Sequence, residues 1–125
     1  MRPRRSTLLL AGAVTAMTVQ PRAASRAAQA DPPRQLVEIS AERFSFTPSE
    51  IRTKAGTTLE IRLRSDDTAH GFHIVGTGVD LELPKRGRGV ATVTFTPKAG
   101  RYTFECSQLC GAGHEFMRGV IVASQ

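Results

Sequence analysis

The chain has 125 residues and a formal net charge of +6, from 17 Lys and Arg against 11 Asp and Glu. Five of the arginines and none of the acids lie in residues 1–30, so residues 31–125 carry 12 basic and 11 acidic side chains and a net charge of only +1. This balance lacks the cationic excess of a nucleic-acid-binding domain, and we expect no nucleic-acid partner. With 40% apolar and 22% charged residues, the composition is that of one small folded domain and excludes low-complexity and multi-span membrane proteins.

The first 30 residues have the pattern of an export signal. Three arginines fall within the first five residues, an uncharged apolar stretch of 13 residues runs from Thr7 to Val19, and a small-residue segment ends in Ala28-Gln29-Ala30. A membrane-spanning helix needs about 20 apolar residues, so an uncleaved anchor is the less favoured alternative. We predict a signal peptide over residues 1–30, cleaved before Asp31 and exported by the Sec or the twin-arginine route, and therefore a periplasmic protein.

Residues 31–35 are predicted to be a short proline-bearing linker, and the residues after it alternate as β-strands do. Leu59, Ile61 and Leu63, for example, are separated by charged residues, as in a half-buried strand. No stretch shows a helical apolar stripe, and Gly or Pro recurs between the apolar runs, which predicts an all-β sandwich over residues 36–125. The other runs predicted as strands are Leu36–Ile39, Phe44–Phe46, Phe72–Val75, Val79–Leu83, Val90–Phe95, Tyr102–Cys106 and Val120–Val122.

Four side chains that bind soft metal ions fall within 12 residues, in the pattern C-x3-C-x3-H-x2-M formed by Cys106, Cys110, His114 and Met117. Thiolates and thioethers favour copper, and imidazole binds copper in either oxidation state. Zinc accepts two Cys and two His but gains little from a thioether. A mononuclear blue-copper site needs one Cys, whereas two thiolates can each bridge two ions. The spacing therefore allows a site with two copper ions.

A further imidazole must come from outside this segment, and residues 31–125 offer only His70 and His73. A separation of three places two residues of a strand on opposite faces, so we expect one of them to bind the metal and the other not. Asp67 precedes both histidines. It is either a hydrogen-bond partner of the metal site or a turn residue.

Other functions of the cysteines remain as alternatives. Exported proteins favour disulfides, although His114 and Met117 at these spacings argue against a purely structural Cys106–Cys110 bridge. A thiol–disulfide enzyme of the thioredoxin type would carry its cysteine pair in a βαβ pattern, which is absent here. A copper delivery or storage protein would use the same ligands without redox turnover. We find no catalytic triad, phosphate loop or paired-carboxylate signature, so we expect no substrate-transforming site in this chain alone.

The sequence resembles the copper A (CuA) domain of cytochrome c oxidase subunit II, which is also found in nitrous oxide reductase. The resemblance covers most of residues 36–125. The segments that carry it are Phe44-Ser45-Phe46-Thr47-Pro48, Ala55-Gly56-Thr57, Asp67-Thr68-Ala69-His70-Gly71-Phe72 and the whole of Cys106–Met117.

The resemblance implies a Greek-key cupredoxin barrel that holds two copper ions. Two cysteines would bridge both ions, two histidines would each bind one ion, and a methionine and a backbone carbonyl would be weak ligands. In the family the upstream histidine precedes a Gly/Ser–Phe/Trp pair, which favours His70 and leaves His73, like Asp67, as a residue beside the ligands. The six implied ligands are His70, Cys106, the carbonyl of Gln108, Cys110, His114 and Met117.

The resemblance also implies an electron carrier of a respiratory chain. Its partners would be cytochrome c or another electron donor and an oxidase or reductase as acceptor, with membrane association through a partner complex. We expect two differences from the oxidase subunits. One is the lack of the transmembrane hairpin that precedes this domain, and the other is the lack of a tryptophan-based electron entry, because the chain contains no Trp.

Overall fold

A computed structural model of the chain describes residues 10–20 and 30–125. Residues 10–20 have no regular secondary structure. The predicted signal peptide lies partly outside the described residues, which omit 1–9 and 21–29, so the signal and its cleavage site stay predictions. Within the two described ranges, no helix has the length and apolar character needed to cross a membrane.

The described residues form nine strands, and a single 3-10 turn, His114–Phe116, precedes the last of them. The first strand begins two residues before the predicted start of the domain at residue 36. The strands are β1 Arg34–Glu42, β2 Ser45–Thr47, β3 Glu50–Lys54, β4 Thr58–Ser65, β5 His70–Ile74, β6 Asp80–Leu83, β7 Ala91–Phe95, β8 Gly100–Glu105 and β9 Arg118–Ser124.

The strands form two mixed sheets, one in the order β2-β1-β4-β7 and the other in the order β3-β9-β8-β5-β6. β1 pairs with β4 and β3 pairs with β9 in parallel, and the remaining pairs are antiparallel. The register places Val37 opposite Ile61 in the first sheet and His70 opposite Leu83 in the second. This architecture confirms the predicted all-β sandwich.

The core lies between the sheets and follows from the alternation of apolar residues. Leu59, Ile61 and Leu63 are fully buried, as their spacing of two predicts. Phe46 and Phe104 pack edge to face with ring centroids 5.4 Å apart, and Phe72 lies 5.1 Å from Phe104 and 5.8 Å from Phe46. Aromatic clusters of this kind bury large areas and fix the spacing of the elements that carry them.

The sequence pattern does not predict strand β3. Its residues Glu50–Lys54 alternate between exposed and buried, but the two buried positions are Ile51 and Thr53. One apolar residue in five gives no recognisable pattern. The strand forms because it adds to the edge of the second sheet, in parallel with β9.

The loops that follow β1, β4 and β8 meet at one end of the sandwich. The backbone N–H of Arg43, after β1, donates to the Asp67 carboxylate, after β4 (2.8 Å). The Arg43 side chain donates to the carbonyl of Cys110, after β8 (2.7 Å). This end of the molecule therefore brings together the two segments that carry the predicted metal ligands.

Candidate metal centre

The segment Cys106–Met117, hereafter the ligand loop, leaves β8 and returns as β9. The N–H of Cys106 donates to the carbonyl of Met117 (3.1 Å) and closes the base of the loop. Near the end of the loop, the N–H of His114 donates to the carbonyl of Gly111 (3.2 Å), and the N–H of Met117 donates to the carbonyl of His114 (3.2 Å). These hydrogen bonds fold the loop back on itself, so that side chains up to 11 positions apart in sequence lie close together.

Both cysteines are free and buried, and their sulfur atoms are neighbours. The Sγ atoms of Cys106 and Cys110 lie 3.7 Å apart, whereas a disulfide needs about 2.0 Å. The two residues are thus present in this structure as a pair of thiols, with no bond between them. Their separation is also less than two metal–thiolate bonds of about 2.3 Å each, so one ion can contact both sulfurs.

Each sulfur has its own imidazole and its own weaker donor. Cys106 Sγ lies 3.9 Å from Nδ1 of His70 and 3.0 Å from the carbonyl oxygen of Gln108. Cys110 Sγ lies 3.8 Å from Nδ1 of His114 and 3.9 Å from Sδ of Met117. The structure therefore brings all six predicted ligands into one cluster, in two similar halves.

The buried histidine of this cluster is held by Asp67. His70 has no exposed surface, and its Nε2 lies 2.6 Å from Oδ1 of Asp67. Because a carboxylate only accepts hydrogen bonds, Nε2 carries the proton and donates it. The lone pair of Nδ1 is then directed at Cys106 Sγ and is available to a metal. A carboxylate that fixes the tautomer in this way is a common partner of metal-binding histidine.

Asp67 is kept ionised by its neighbours. Burial alone would raise the pKa of its carboxyl group, but the hydrogen bonds from the backbone N–H of Arg43 and from His70 outweigh that effect and lower the pKa below its ordinary value. Both interpretations of Asp67 describe its position. It lies in the turn between β4 and β5, and its carboxylate contacts the predicted ligand His70.

The surroundings of Cys110 favour its neutral form, whereas those of Asp67 favour the charged form. Burial, followed in size by its contact with the neighbouring thiol of Cys106, raises the pKa of Cys110 to about 11. Without a metal this sulfur is a neutral thiol at physiological pH. Binding of a cation to it therefore displaces a proton.

His73 lies on the other face of β5, as predicted from its spacing to His70. It is half-buried, and its Nδ1 bonds to the carbonyl of Val79 (2.9 Å). No hydrogen bond among the described residues joins His73 to the ligand set, so its predicted place beside the ligands stays a prediction without a contact to support it.

Three contacts that shape the site were missed by the sequence reasoning. Arg43 bonds to the carbonyl of Cys110, and Ser107 donates to the carboxylate of Asp80 (2.7 Å). A Cβ on Gly71 would collide with the side chain of Ser107 and lie 2.7 Å from the backbone nitrogen of Gln108, so glycine allows the ligand loop to pack on β5. Only Gly71 gave a signal, as the small residue after His70 within the family motif.

Comparison with known proteins agrees with this geometry. A family model described as a cupredoxin-like domain matches residues 8–123. Cytochrome c oxidase subunit 2 of Thermus thermophilus is 36% identical over 99 residues, which are 78% of this chain and 71% of that protein. The chain belongs to the cupredoxin-like family, among the cytochrome c oxidase subunit 2 proteins. It spans 57% of the length of a second Thermus thermophilus subunit 2 with the same identity.

Solved structures of this family share the fold. A subunit of a heme-copper terminal oxidase dimer superposes with a TM-score of 0.65 at 30% identity, over 75% of this chain and 66% of that one. The periplasmic domain of oxidase subunit II from Bradyrhizobium japonicum gives the same TM-score at 18% identity, over 78% and 86% of the two chains. The second likeness shows the cupredoxin fold alone.

The residues at the site fit the copper that this family implies. The ligand atoms of His70, Cys106 and Cys110 lie within 4.8 Å of one another, and all three side chains are buried. Sulfur and imidazole donors suit copper, whereas magnesium, calcium and manganese prefer oxygen donors. The cluster is therefore consistent with a copper site.

Proposed function

We propose that this protein is an electron-transfer domain with a dinuclear, CuA-type copper centre, which passes single electrons in a respiratory chain. The observation that carries the proposal is the pairing of the donors. Two free thiols lie 3.7 Å apart, and each is flanked by a different imidazole at 3.8 or 3.9 Å. A mononuclear blue-copper site, which uses one Cys, would leave the second thiol without a ligand role.

Each donor has a distinct part in this proposal. Cys106 and Cys110 would hold the copper ions through their sulfurs, His70 and His114 would hold them through Nδ1, and the Gln108 carbonyl and Met117 Sδ would be the weaker donors. When bound, two copper ions that share two thiolates would accept and release one electron at a time. The chain's own contribution is to hold the donors in place before and after that electron arrives, so that little rearrangement accompanies transfer.

The two halves differ in access to solvent. His70 is completely buried, whereas His114 is half-buried in the 3-10 turn, and two other side chains of the ligand loop, Leu109 and Phe116, are exposed. We infer that electrons exchange with partner proteins at the His114 side. The relatives support a heme-copper oxidase as acceptor and cytochrome c or another carrier as donor, and they support a periplasmic location with membrane association through that complex.

A copper delivery or storage protein is the second candidate, because it would use the same donors. The hydrogen bond between His70 and Asp67 favours the electron carrier. It holds a buried ligand rigidly, and a copper delivery protein must exchange its ligands easily. The two functions differ in what the copper-loaded protein does. A carrier cycles reversibly and keeps its copper, whereas a delivery protein loses copper to an acceptor.

The test combines voltammetry with a metal count on the copper-loaded protein. We expect two copper ions per chain and one reversible electron per pair, with copper retained when a copper(I) chelator is added. Loss of copper to the chelator without a reversible wave would contradict electron transfer and favour delivery.

The two upstream histidines provide a matched pair of variants. We expect His70→Gln to alter the copper absorption spectrum and the metal count, and His73→Gln to leave both unchanged. The reverse pattern would show that the wrong face of β5 has been assigned to the metal.

A further inference from the structure

Arg43, in the turn between β1 and β2, lies outside the predicted ligand set but contacts Cys110 directly and His70 through Asp67. Its Nε–H donates to the carbonyl of Cys110 at 2.7 Å, across 67 positions of sequence. Its backbone N–H donates to Oδ2 of Asp67 at 2.8 Å, and Asp67 accepts the hydrogen bond from His70. One residue thus connects the buried histidine of β5 with a cysteine of the ligand loop.

The neighbouring packing shows that this contact is built into the loop. A Cβ on Gly111 would lie 3.4 Å from Nε of Arg43 and 2.9 Å from the ring of Phe44, and a Cβ on Gly113 would lie 2.5 Å from that ring. Gly111 also has a φ of +148°, a conformation that other residues rarely adopt. The two glycines therefore let the Arg43–Phe44 turn close directly onto the ligand loop.

The charge of Arg43 has no carboxylate partner within the described part of the chain. The arginines at 52, 62, 64 and 118 each lie within 4.0 Å of an acidic side chain, whereas no such pair includes Arg43. Its guanidinium instead faces the Cys110 carbonyl. The Arg43 side chain is exposed to solvent, but its positive charge is held beside the backbone of a predicted metal ligand. A positive charge at such a position favours the more electron-rich state of whatever the ligand binds.

We propose that Arg43 is a positioning residue of the copper site, which fixes the ligand loop through the Cys110 carbonyl and raises the reduction potential of the centre through its unpaired charge. The inference rests on the proposed function for the effect on potential. The effect on the loop does not depend on it, because the hydrogen bonds join protein groups only.

Two substitutions separate the hydrogen bond from the charge. Arg43→Gln removes the charge and shortens the side chain, and Arg43→Lys keeps the charge but loses the planar Nε donor. Arg62→Gln is the matched control, because it removes one positive charge on β4, where Arg62 is paired with Glu60. The protein is loaded with copper in each case, and its reduction potential and its rate of copper loss to a copper(I) chelator are measured.

We expect Arg43→Gln to lower the reduction potential and to release copper about tenfold faster, the change that the loss of one charge-assisted hydrogen bond produces. Arg43→Lys should recover most of the potential but not the slow release, and Arg62→Gln should match the wild type in both. Equal potentials and release rates in Arg43→Gln and the wild type would overturn the proposal.

Hydrogen exchange in the copper-free protein gives a test that is independent of the proposed function. In Arg43→Gln we expect the hydrogen-bonded amides of the ligand loop, those of His114, Phe116 and Met117, to exchange about tenfold faster, with those of β4 and β9 unchanged. Unchanged exchange in the loop would overturn the positioning role even if copper binds as proposed. A wild-type protein that binds a single copper would contradict the dinuclear function, while the exchange comparison would still decide the role of Arg43.

Discussion

At the scale of single residues, the site depends on how each donor is held as well as on which donors are present. His70 has one nitrogen bonded to Asp67 and the other directed at the sulfur of Cys106. The tautomer is therefore fixed before a metal arrives. The sequence shows the order Asp-x-x-His, but the same order is also common in turns, and only the fold brings the carboxylate within 2.6 Å of the ring.

Replacing this carboxylate tests its function. We expect Asp67→Asn to weaken copper binding by about 10- to 100-fold, because the amide no longer enforces protonation at Nε2. Competition with a copper(I) chelator measures the effect. Asp66→Asn is the control. Among the described residues, the carboxylate of Asp66 pairs only with the exposed Arg64 at 3.6 Å, so this variant should bind copper as the wild type does.

Copper affinity should also depend on pH. Because the pKa of Cys110 is raised to about 11, the thiol is protonated throughout the neutral range and must release its proton to bind copper. Below that pKa the neutral thiol of Cys110 competes with copper binding. The affinity for copper should therefore rise as pH increases from 6 to 9 and fall as pH decreases. Competition titrations at several pH values measure the slope. A constant affinity over this range would contradict ligation by Cys110.

At the scale of elements, the strands with strong alternation could be predicted, whereas their pairing could not. Leu59, Ile61 and Leu63 identify β4 because three apolar side chains at a spacing of two leave little alternative. The parallel pairing of β1 with β4 depends on contacts distant in sequence, which no local pattern contains. β3 was missed for a related reason, since Thr53 occupies a buried position normally filled by an apolar residue.

In the ligand loop, too, some features could be predicted from the sequence and others could not. The side chains predicted as donors from their types and spacing lie together in the structure, and their role as donors stays a prediction. The contacts that hold the loop could not be predicted, since Arg43 and Asp80 are ordinary charged residues in the sequence. The sequence thus predicts the chemistry of the site, and the fold adds the supports that orient it.

The packing of the loop on β5 predicts the effect of a single methyl group. In Gly71→Ala the added Cβ would collide with Ser107 and the backbone of Gln108, so we expect a loss of about 1–3 kcal/mol in the free energy of unfolding and weaker copper binding. Urea unfolding and a copper count measure both. Gly78→Ala is the matched control, because a Cβ there meets nothing within 4 Å. Equal effects of the two substitutions would show that the loop does not rest on β5.

At the scale of the whole molecule, fewer than 100 residues form the sandwich, and the hydrogen bonds of Arg43, Asp67 and His70 join both sheets at the end where copper would bind. Small domains gain much of their stability from such bound groups. Copper should therefore act on the unfolding of the entire domain rather than on the loop alone.

Removal of copper tests this coupling. A ligand present at 100 times its Kd stabilises the folded state by about 2.7 kcal/mol, so we expect the copper-loaded protein to unfold at a clearly higher temperature than the copper-free protein. Thermal unfolding followed by circular dichroism measures the difference. In the double variant Cys106→Ser, Cys110→Ser the difference should vanish, and its persistence would mean that copper binds elsewhere.

The central claim is that the two halves of the donor cluster hold two copper ions that share one unpaired electron. Electron paramagnetic resonance of the copper-loaded protein, together with a copper count, tests it most directly. The account predicts two ions per chain and a signal in which the unpaired electron is split by two equivalent copper nuclei. One ion per chain, with splitting by a single nucleus, would contradict it.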